Sequence, residues 1–305
     1  MGSGLADRGI ALFESLRPRA WLKNVFLFAG IIFARLWSLE AFAVTALGTL
    51  AFSLLAGSIY LFNDVADRRR DMLHPEKKSR PVASGRLPAS AALGAGTLLS
   101  AGVLAASWLL SPGFATVCTA YFAMQMLYSF RLKHVPILDC LLIAMGFVLR
   151  ALAGVELAVD AGFDISISPW LLLCTFFVAV FLAFSKRRAE VVSLGDSAGG
   201  HRAILREYTA HLLDEMIGIS TASSLMCYAI YTVSERTAAQ VSPNLWMTVP
   251  FVAFGIFRYL YLVHMKGMGG SPEKTLLEDP PLILNILLWF GTVIAVLRIF
   301  PAPVQ

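Results

Sequence analysis

Long apolar runs separated by short polar intervals repeat along the chain from near its first residue to its last. Nine of them approach or exceed the length a helix needs to cross roughly 30 Å of hydrocarbon: residues 20–38, 41–62, 89–110, 113–131, 136–158, 168–186, 212–234, 244–265 and 282–299. These runs are too long and too uniformly apolar for the alternating strands of a barrel. Helices remain as the way to satisfy backbone polar groups in lipid. The pattern predicts an all-α integral membrane protein of nine transmembrane helices, folded as one membrane domain over 1–305.

Composition agrees. Of 305 residues, 57% are hydrophobic and 15% charged, and a mean hydropathy of +0.70 excludes a water-soluble globule. No internal repeat or interdomain hinge stands out, and Met1–Asp7 read as a disordered lead.

Charge sets the orientation. Arg8, Arg17, Arg19 and Lys23 precede or open the first run, and the second-to-third loop carries Arg68, Arg69, Arg70, Lys77, Lys78, Arg80 and Arg86. Arg131 and Lys133 follow the fourth run, then Lys186, Arg187, Arg188, Arg202 and Arg206 follow the sixth, and Lys266 and Lys274 the eighth. The opposite side holds only Arg35, Arg236 and Arg298. Retention of Lys and Arg on the cytoplasmic side predicts a multi-pass protein of the inner (plasma) membrane, N-terminus cytoplasmic and C-terminus outside. The segment 1–15 and the loops 63–88 and 186–211 then face the cytoplasm. The net charge of +5 follows from the same bias, so no nucleic-acid partner is expected.

Cys118, Cys140, Cys174 and Cys227 all fall in apolar runs without metal-ligand spacing, as small packing residues do. His74, His134, His201, His211 and His264 form no HxxxH-like pair, which argues against a histidine metal site. The chemistry must sit in the loops.

The segment Asn63-Asp64-Val65-Ala66-Asp67-Arg68-Arg69-Arg70-Asp71 is the most informative. Asn63, Asp67 and Asp71 recur every four residues, so a helix continuing through them would stack three oxygen-bearing side chains on one face. Such hard donors suit Mg²⁺, which keeps several waters and bridges a few carboxylates to substrate phosphates. The plainer alternative is a solvated helix end whose aspartates pair with Arg68–Arg70. Against it, like charges four residues apart destabilise a helix unless a cation neutralises them. Immediately after, Lys77, Lys78, Arg80 and Arg86, with Pro81 and Gly85 to fold the segment back, supply a phosphate clamp with Arg80 as first choice. Juxtamembrane cations also serve topology or anionic headgroups alone.

Asn63 to Asp71, followed by Lys77-x-x-Arg80-Pro81-x-x-x-Gly85, resembles the first signature of the UbiA superfamily of intramembrane prenyltransferases. Arg17-Pro18-Arg19-Ala20-Trp21-Leu22-Lys23-Asn24 resembles that superfamily's entry to the first helix. The resemblance covers nearly the whole chain. It implies a UbiA-type bundle of nine helices with a cytoplasmic-facing active site. The superfamily's second acidic stretch is replaced here by Ser185-Lys186-Arg187-Arg188-Ala189-Glu190, which departs from ordinary aromatic prenylation. Together with Tyr128-Ser129-Phe130-Arg131-Leu132-Lys133, Asp139, the stretch from Gly146 through Arg150 to Gly154, and the tail from Arg258 to Asp279, the chain looks like the decaprenyl-phosphate phosphoribosyltransferase branch.

That branch implies phosphoribosyl pyrophosphate as donor, a polyprenyl phosphate lipid as acceptor and Mg²⁺ as cofactor. Such an enzyme must hold a sugar diphosphate, a 5-phosphate and a lipid phosphate together, and an acidic stretch exchanged for cations answers that need. The reaction is displacement at the anomeric carbon by the lipid phosphate, with no covalent enzyme intermediate. The nucleophile is already ionised, so catalysis rests on positioning and leaving-group stabilisation.

In this reading Asn63, Asp67 and Asp71, helped by Asp64, hold Mg²⁺. Lys77, Arg80 and Lys133 contact donor phosphates, and Lys23, Lys186 and Arg187 the others. Asp139 or Glu190 orients a ribose hydroxyl. Tyr128 bonds a phosphate or ribose, or is an interfacial anchor. Arg150, inside an apolar run, faces a cavity or pairs with Glu156, whereas Arg258 reads as a snorkelling side chain. The nearest rival is a UbiA-type enzyme prenylating an aromatic or quinone precursor. A transporter would instead concentrate ionisable groups at mid-membrane. A homo-oligomer remains open.

Overall fold

The computed structural model describes residues 5–34, 36–73, 77–165, 168–194 and 203–302. Arg35, His74, His201 and Arg202, which entered the charge and histidine readings, lie outside these, as do residues 1–4 of the N-terminal lead and 195–200 of the 186–211 loop. Among the described residues there is no strand.

Thirteen α-helices are described: α1 (Leu5–Ser15), α2 (Ala29–Phe33), α3 (Leu39–Ala66), α4 (Arg68–Leu73), α5 (Ala89–Leu110), α6 (Pro112–Phe130), α7 (Leu138–Asp160), α8 (Pro169–Leu194), α9 (Ala210–Val233), α10 (Glu235–Gln240), α11 (Val249–Lys266), α12 (Pro272–Glu278) and α13 (Pro280–Ile299). Among the described residues, seven helical segments are long and apolar enough to cross a membrane, Leu39–Ala66, Ala89–Leu110, Leu138–Asp160, Pro169–Ser193, Ala210–Val233, Leu245–Lys266 and Pro280–Ile299. Each coincides with one of the nine apolar runs. Helix α6 covers the run 113–131, but polar Thr116, Thr119, Gln125 and Ser129 dilute its hydropathy.

The run 20–38 departs most from expectation. It folds as a 3₁₀ helix over Pro18–Phe28, followed by the single short α2. Its physical cause is Asn24, which is 1% exposed. Its Nδ2 donates to Ser53 Oγ at 2.7 Å, and its Oδ1 accepts from Arg150 Nε at 2.8 Å. The backbone also lies so close to α7 that a Cβ on Gly154 would stand 1.9 Å from the Leu27 carbonyl oxygen. Only glycine permits that approach.

The chain divides into two compact units, Met1–Leu132 with Leu149–Ser166, and Lys133–Val148 with Ile167–Gln305. Helix α7 therefore begins in the second unit and ends in the first. In the first unit, Leu27, Phe52, Leu55, Phe114, Tyr121 and Ala153 form one apolar cluster, with the Phe52 and Tyr121 rings 4.6 Å apart. Ala11, Leu16, Leu61, Val82, Leu87 and Ala92 form another beneath α1.

The second unit packs α8 on α9, with Val180, Phe184, Leu213, Ile217, Tyr259 and Leu262 at its core. Small polar residues let these helices approach, as Cys174 Sγ does at 3.9 Å from Ser224 Oγ. Buried hydroxyls are satisfied locally. Tyr228 Oη lies 2.7 Å from Thr248 Oγ1 and accepts from Trp289 Nε1 at 3.0 Å. Arg258 makes two bonds to Asp279, of 3.0 and 2.8 Å, and Asp279 caps α13 by accepting from the Leu282 N–H at 3.0 Å. Arg258 is thus held by a carboxylate rather than by water alone.

Candidate functional site

The first unit's polar site forms where α3 ends. Asp64, in the last turn of α3, is 2% exposed, and Asp71, in α4, is 4% exposed. Arg80 Nη1 joins them, 2.7 Å from Asp71 Oδ2 and 3.3 Å from Asp64 Oδ1. Arg17 donates to the same Asp64 oxygen, and its guanidinium lies 4.5 Å from the Tyr60 ring centroid. Two buried carboxylates and two half-exposed guanidiniums form one connected network.

Local sequence explains each placement. Helix α1 ends at Ser15, and the left-handed backbone of Arg17 (φ 52°, ψ 64°) then turns the chain into the 3₁₀ helix begun by Pro18. Arg80 is aimed by the segment after it. Val82 is fully buried and Leu87 nearly so, the Leu87 N–H reaches the Pro81 carbonyl at 2.9 Å, and Gly85 turns the chain at φ 81°. The apolar residues thus anchor the fold-back that Pro81 and Gly85 suggested.

The register of the acidic residues differs from the continuous face read in the sequence. Helix α3 stops at Ala66, and Asp67 caps it at φ −91°, ψ 2° before α4 restarts. The restart brings Asp64 and Asp71 onto a common partner, while Asn63 and Asp67 are only partly buried nearby. Among the described residues, no three of His, Cys, Asp and Glu converge into a closed metal cage. Mg²⁺ needs no such cage, since one or two carboxylates plus substrate phosphates hold it. The all-oxygen donor set around Asp64 and Asp71 fits an open site of that kind.

The second unit carries a second network. Arg187, 3% exposed, donates from Nε to Asp139 Oδ2 at 2.9 Å and from Nη1 to Glu190 Oε2 at 2.8 Å. Asp139 is fully buried and also accepts from Tyr208 Oη at 2.8 Å. Tyr208 Oη in turn accepts the Ile137 N–H at 2.5 Å. Burial, reinforced by the bond to Asp139, pushes the Tyr208 phenol above its ordinary range despite the opposing Ile137 N–H. Ile137 has φ 69°, a left-handed conformation costly for a β-branched residue, and the Tyr208 bond fixes it there. Beside this network Arg188 pairs with Asp214 of α9.

Lys23 lies half-buried in the first 3₁₀ helix, and Lys77 half-buried in the short 3₁₀ turn Lys77–Ser79. Tyr128 is half-buried near the end of α6, Lys133 half-buried in the turn Leu132–His134, and Lys186 exposed on α8. Arg150 is 7% exposed inside the first unit, bonded to Asn24 and to Tyr121 Oη at 2.8 Å each, with its guanidinium 5.6 Å from the Phe52 centroid. Glu156 stands beside Asp160 at Gly113. Sequence reasoning did not single out Arg17 or Tyr208 as site residues. Arg17 belonged to the matched Arg17–Asn24 segment, which was a usable signal, whereas nothing near Tyr208 distinguished it.

A chain whose described residues hold seven bilayer-length helices, no strand and a carboxylate–guanidinium network at a helix end has the form of a multi-pass membrane enzyme. The UbiA prenyltransferase family profile matches residues 24–277, and the chain belongs to that family. Among its relatives, the decaprenyl-phosphate phosphoribosyltransferase of Mycolicibacterium smegmatis is 33% identical over 293 residues, covering 92% of this chain and 91% of that one. The protein of the same name from Corynebacterium glutamicum is 32% identical, covering 97% and 89%. A UbiA homologue from Archaeoglobus fulgidus, solved with DMAPP and Mg²⁺, shares the fold at a TM-score of 0.69 and 17% identity, over 94% of this chain and 99% of that one.

Proposed function

We propose that this chain transfers the 5-phosphoribosyl group from phosphoribosyl pyrophosphate to a polyprenyl phosphate of decaprenyl type, releasing pyrophosphate. The observation that carries the reading is near-full-length similarity, at 32–33% identity, to relatives named decaprenyl-phosphate phosphoribosyltransferase. The replacement of the family's second acidic stretch by a basic one supports it, Lys186 being its exposed cation while Arg187 and Arg188 pair with carboxylates. The protein works as one membrane domain in the plasma membrane, its nine spans counting the 3₁₀ segment Pro18–Phe28 with α2 as the first, N-terminus and active face cytoplasmic and C-terminus outside.

Asp64 and Asp71, with Asn63 and Asp67 beside them, would hold Mg²⁺, which supplies charge neutralisation of the leaving pyrophosphate. Arg80 and Lys77 bind donor phosphate oxygens, and Lys133 assists. Arg17, Lys23 and Lys186 serve the remaining phosphates. Guanidinium groups suit this task because their planar fork matches phosphate oxygens and stays charged. Asp139, fully buried, fixes Arg187 and Tyr208, and Glu190, 25% exposed at its side chain, is the carboxylate accessible to a ribose hydroxyl. Arg150 keeps the 3₁₀ helix bearing Lys23 in register.

The test is purified enzyme with Mg²⁺, radiolabelled phosphoribosyl pyrophosphate and decaprenyl phosphate. Label entering the lipid phase, and stopped by chelation, is the expected result. No transfer, with a prenyl diphosphate consumed by an aromatic acceptor instead, overturns it.

A further inference from the structure

Arg68, Arg69 and Arg70 are left over by the site. A solvated helix end would pair them with the neighbouring aspartates, but Asp64 and Asp71 are held by Arg17 and Arg80 instead. All three arginines are exposed, and none makes a side-chain hydrogen bond or ion pair with the described residues. Helix α4 is therefore two-faced. Asp71 enters the network at 4% exposure, whereas Arg69 and Leu73, two residues to either side, lie about 200° around the helix from it. Those two share the outward face, four residues apart. Leu73 is 88% exposed and Met72 beside it 53%. A helix turned to water hides its large apolar side chains; this one sets two of them among three arginines.

Its depth follows from α3. That helix runs 28 residues, about 42 Å at the helical rise, which exceeds the roughly 30 Å of hydrocarbon. Its polar last turn, Asn63–Ala66, stands at headgroup level, and α4 begins directly after the cap at Asp67. Helix α1 packs at the same end of α3, Ala11 and Leu16 joining Leu61 in one cluster. It too exposes large apolar residues, Ile10 at 57% and Phe13 at 56%. Guanidinium groups fit phosphate oxygens, and apolar side chains beside them fit the acyl boundary, as in a helix lying in the interface plane. A free phosphate would satisfy the arginines but leave Met72 and Leu73 in water. A phospholipid with an anionic headgroup satisfies both.

We propose that α4 docks on anionic phospholipid of the adjoining leaflet, its arginines on the headgroup phosphates and Met72 and Leu73 in the acyl boundary. The break at Asp67 lets α4 be positioned separately from α3, so lipid bound on one face sets where Asp71 stands on the other. The surface itself is independent of the phosphoribosyltransferase reading; its effect on donor binding rests on that reading.

The experiment uses the full-length protein in phosphatidylcholine nanodiscs. Cys118, Cys140, Cys174 and Cys227 are all buried, so Leu73→Cys takes a bimane label selectively. An equal minor fraction of brominated phosphatidylglycerol or brominated phosphatidylcholine is then included. Quenching by the glycerol lipid should show about fivefold enrichment for each engaged arginine, the worth of one basic side chain at an anionic surface. Replacing Arg68, Arg69 and Arg70 together by Gln should bring the two lipids level, and replacing them by Lys should keep the preference. Equal quenching with the three arginines in place, or a preference that survives the Gln triple, overturns the proposal. So does loss of the preference on adding inorganic pyrophosphate, which assigns the arginines to the soluble donor. A dimer mass that the Gln triple reduces to a monomer assigns the face to a second copy and also overturns it. Donor KM in the same discs should fall about fivefold when phosphatidylglycerol is present, in the wild type and not in the Gln triple; equal values overturn the link to Asp71. Wild-type protein that transfers no phosphoribosyl group overturns the functional reading, while the quenching ratio still decides the surface.

Discussion

Arg187→Met separates two roles for a residue that the sequence alone casts as a phosphate contact. In the structure Arg187 is 3% exposed and Asp139 is fully buried, with the Nε–Oδ2 distance 2.9 Å. Methionine preserves most of the aliphatic volume but strips the Arg187 guanidinium from both Asp139 and Glu190. Breaking a buried pair from one side costs about 3–5 kcal/mol. At about 1.6 °C per kcal/mol for a chain of 305 residues, the loss is roughly 5–8 °C of thermal stability. Adding Asp139→Asn removes the stranded charge while keeping an acceptor for Tyr208, so the double variant should recover most of the loss. The assay is retention of the monodisperse peak on size exclusion in detergent after heating, with donor KM measured in parallel. If Arg187→Met melts with the wild type and only donor KM rises, Arg187 is a substrate contact and the buried-network reasoning is refuted.

Gly154→Ala should destabilise by about 3 kcal/mol or more, because its Cβ would sit 1.9 Å from a backbone oxygen and force the 3₁₀ helix away from α7; the same melt reads it. Asp71→Asn keeps shape and a bond to Arg80 but loses charge, so turnover should fall by orders of magnitude while the melting profile holds. Full activity removes Asp71 from metal binding. The bonds from Arg258 hold the Asp279 carboxyl below its usual range, so its contribution to stability is complete above the unfolded value near pH 4 and is lost as pH falls through the lowered folded value. Asp279→Asn should therefore be less stable than wild type at neutral pH and lose less on acidification, as melts across that range would measure.

Most of the helical plan was legible because hydropathy over a bilayer-length window is a strong, local signal. The run 20–38 misled because its apolarity hides Asn24, whose partners Ser53 and Arg150 are 29 and 126 residues away. The acidic segment was found by its spacing, yet its register was not. Four-residue periodicity assumes an unbroken helix, and the break at Asp67 moves Asp64 into the pair with Asp71. Asp139, Arg187 and Glu190 were each singled out as separate substrate contacts. Their union with Tyr208 across 69 residues of sequence is a tertiary fact with no periodic trace. Arg80 was the most legible side chain, since Pro81 and Gly85 announce the turn that carries it.

The division of α7 between the two units has a consequence for biogenesis. The first unit is not finished when its first 132 residues have left the ribosome. It waits for Leu149–Ser166, and with them Arg150, the donor that Asn24 accepts. Until then Asn24 enters the membrane with Ser53 but without the Arg150 guanidinium. A nascent chain stalled before residue 149 presents that polar pair to lipid and to quality control, whereas one arrested just beyond 166 already holds every segment of its first unit.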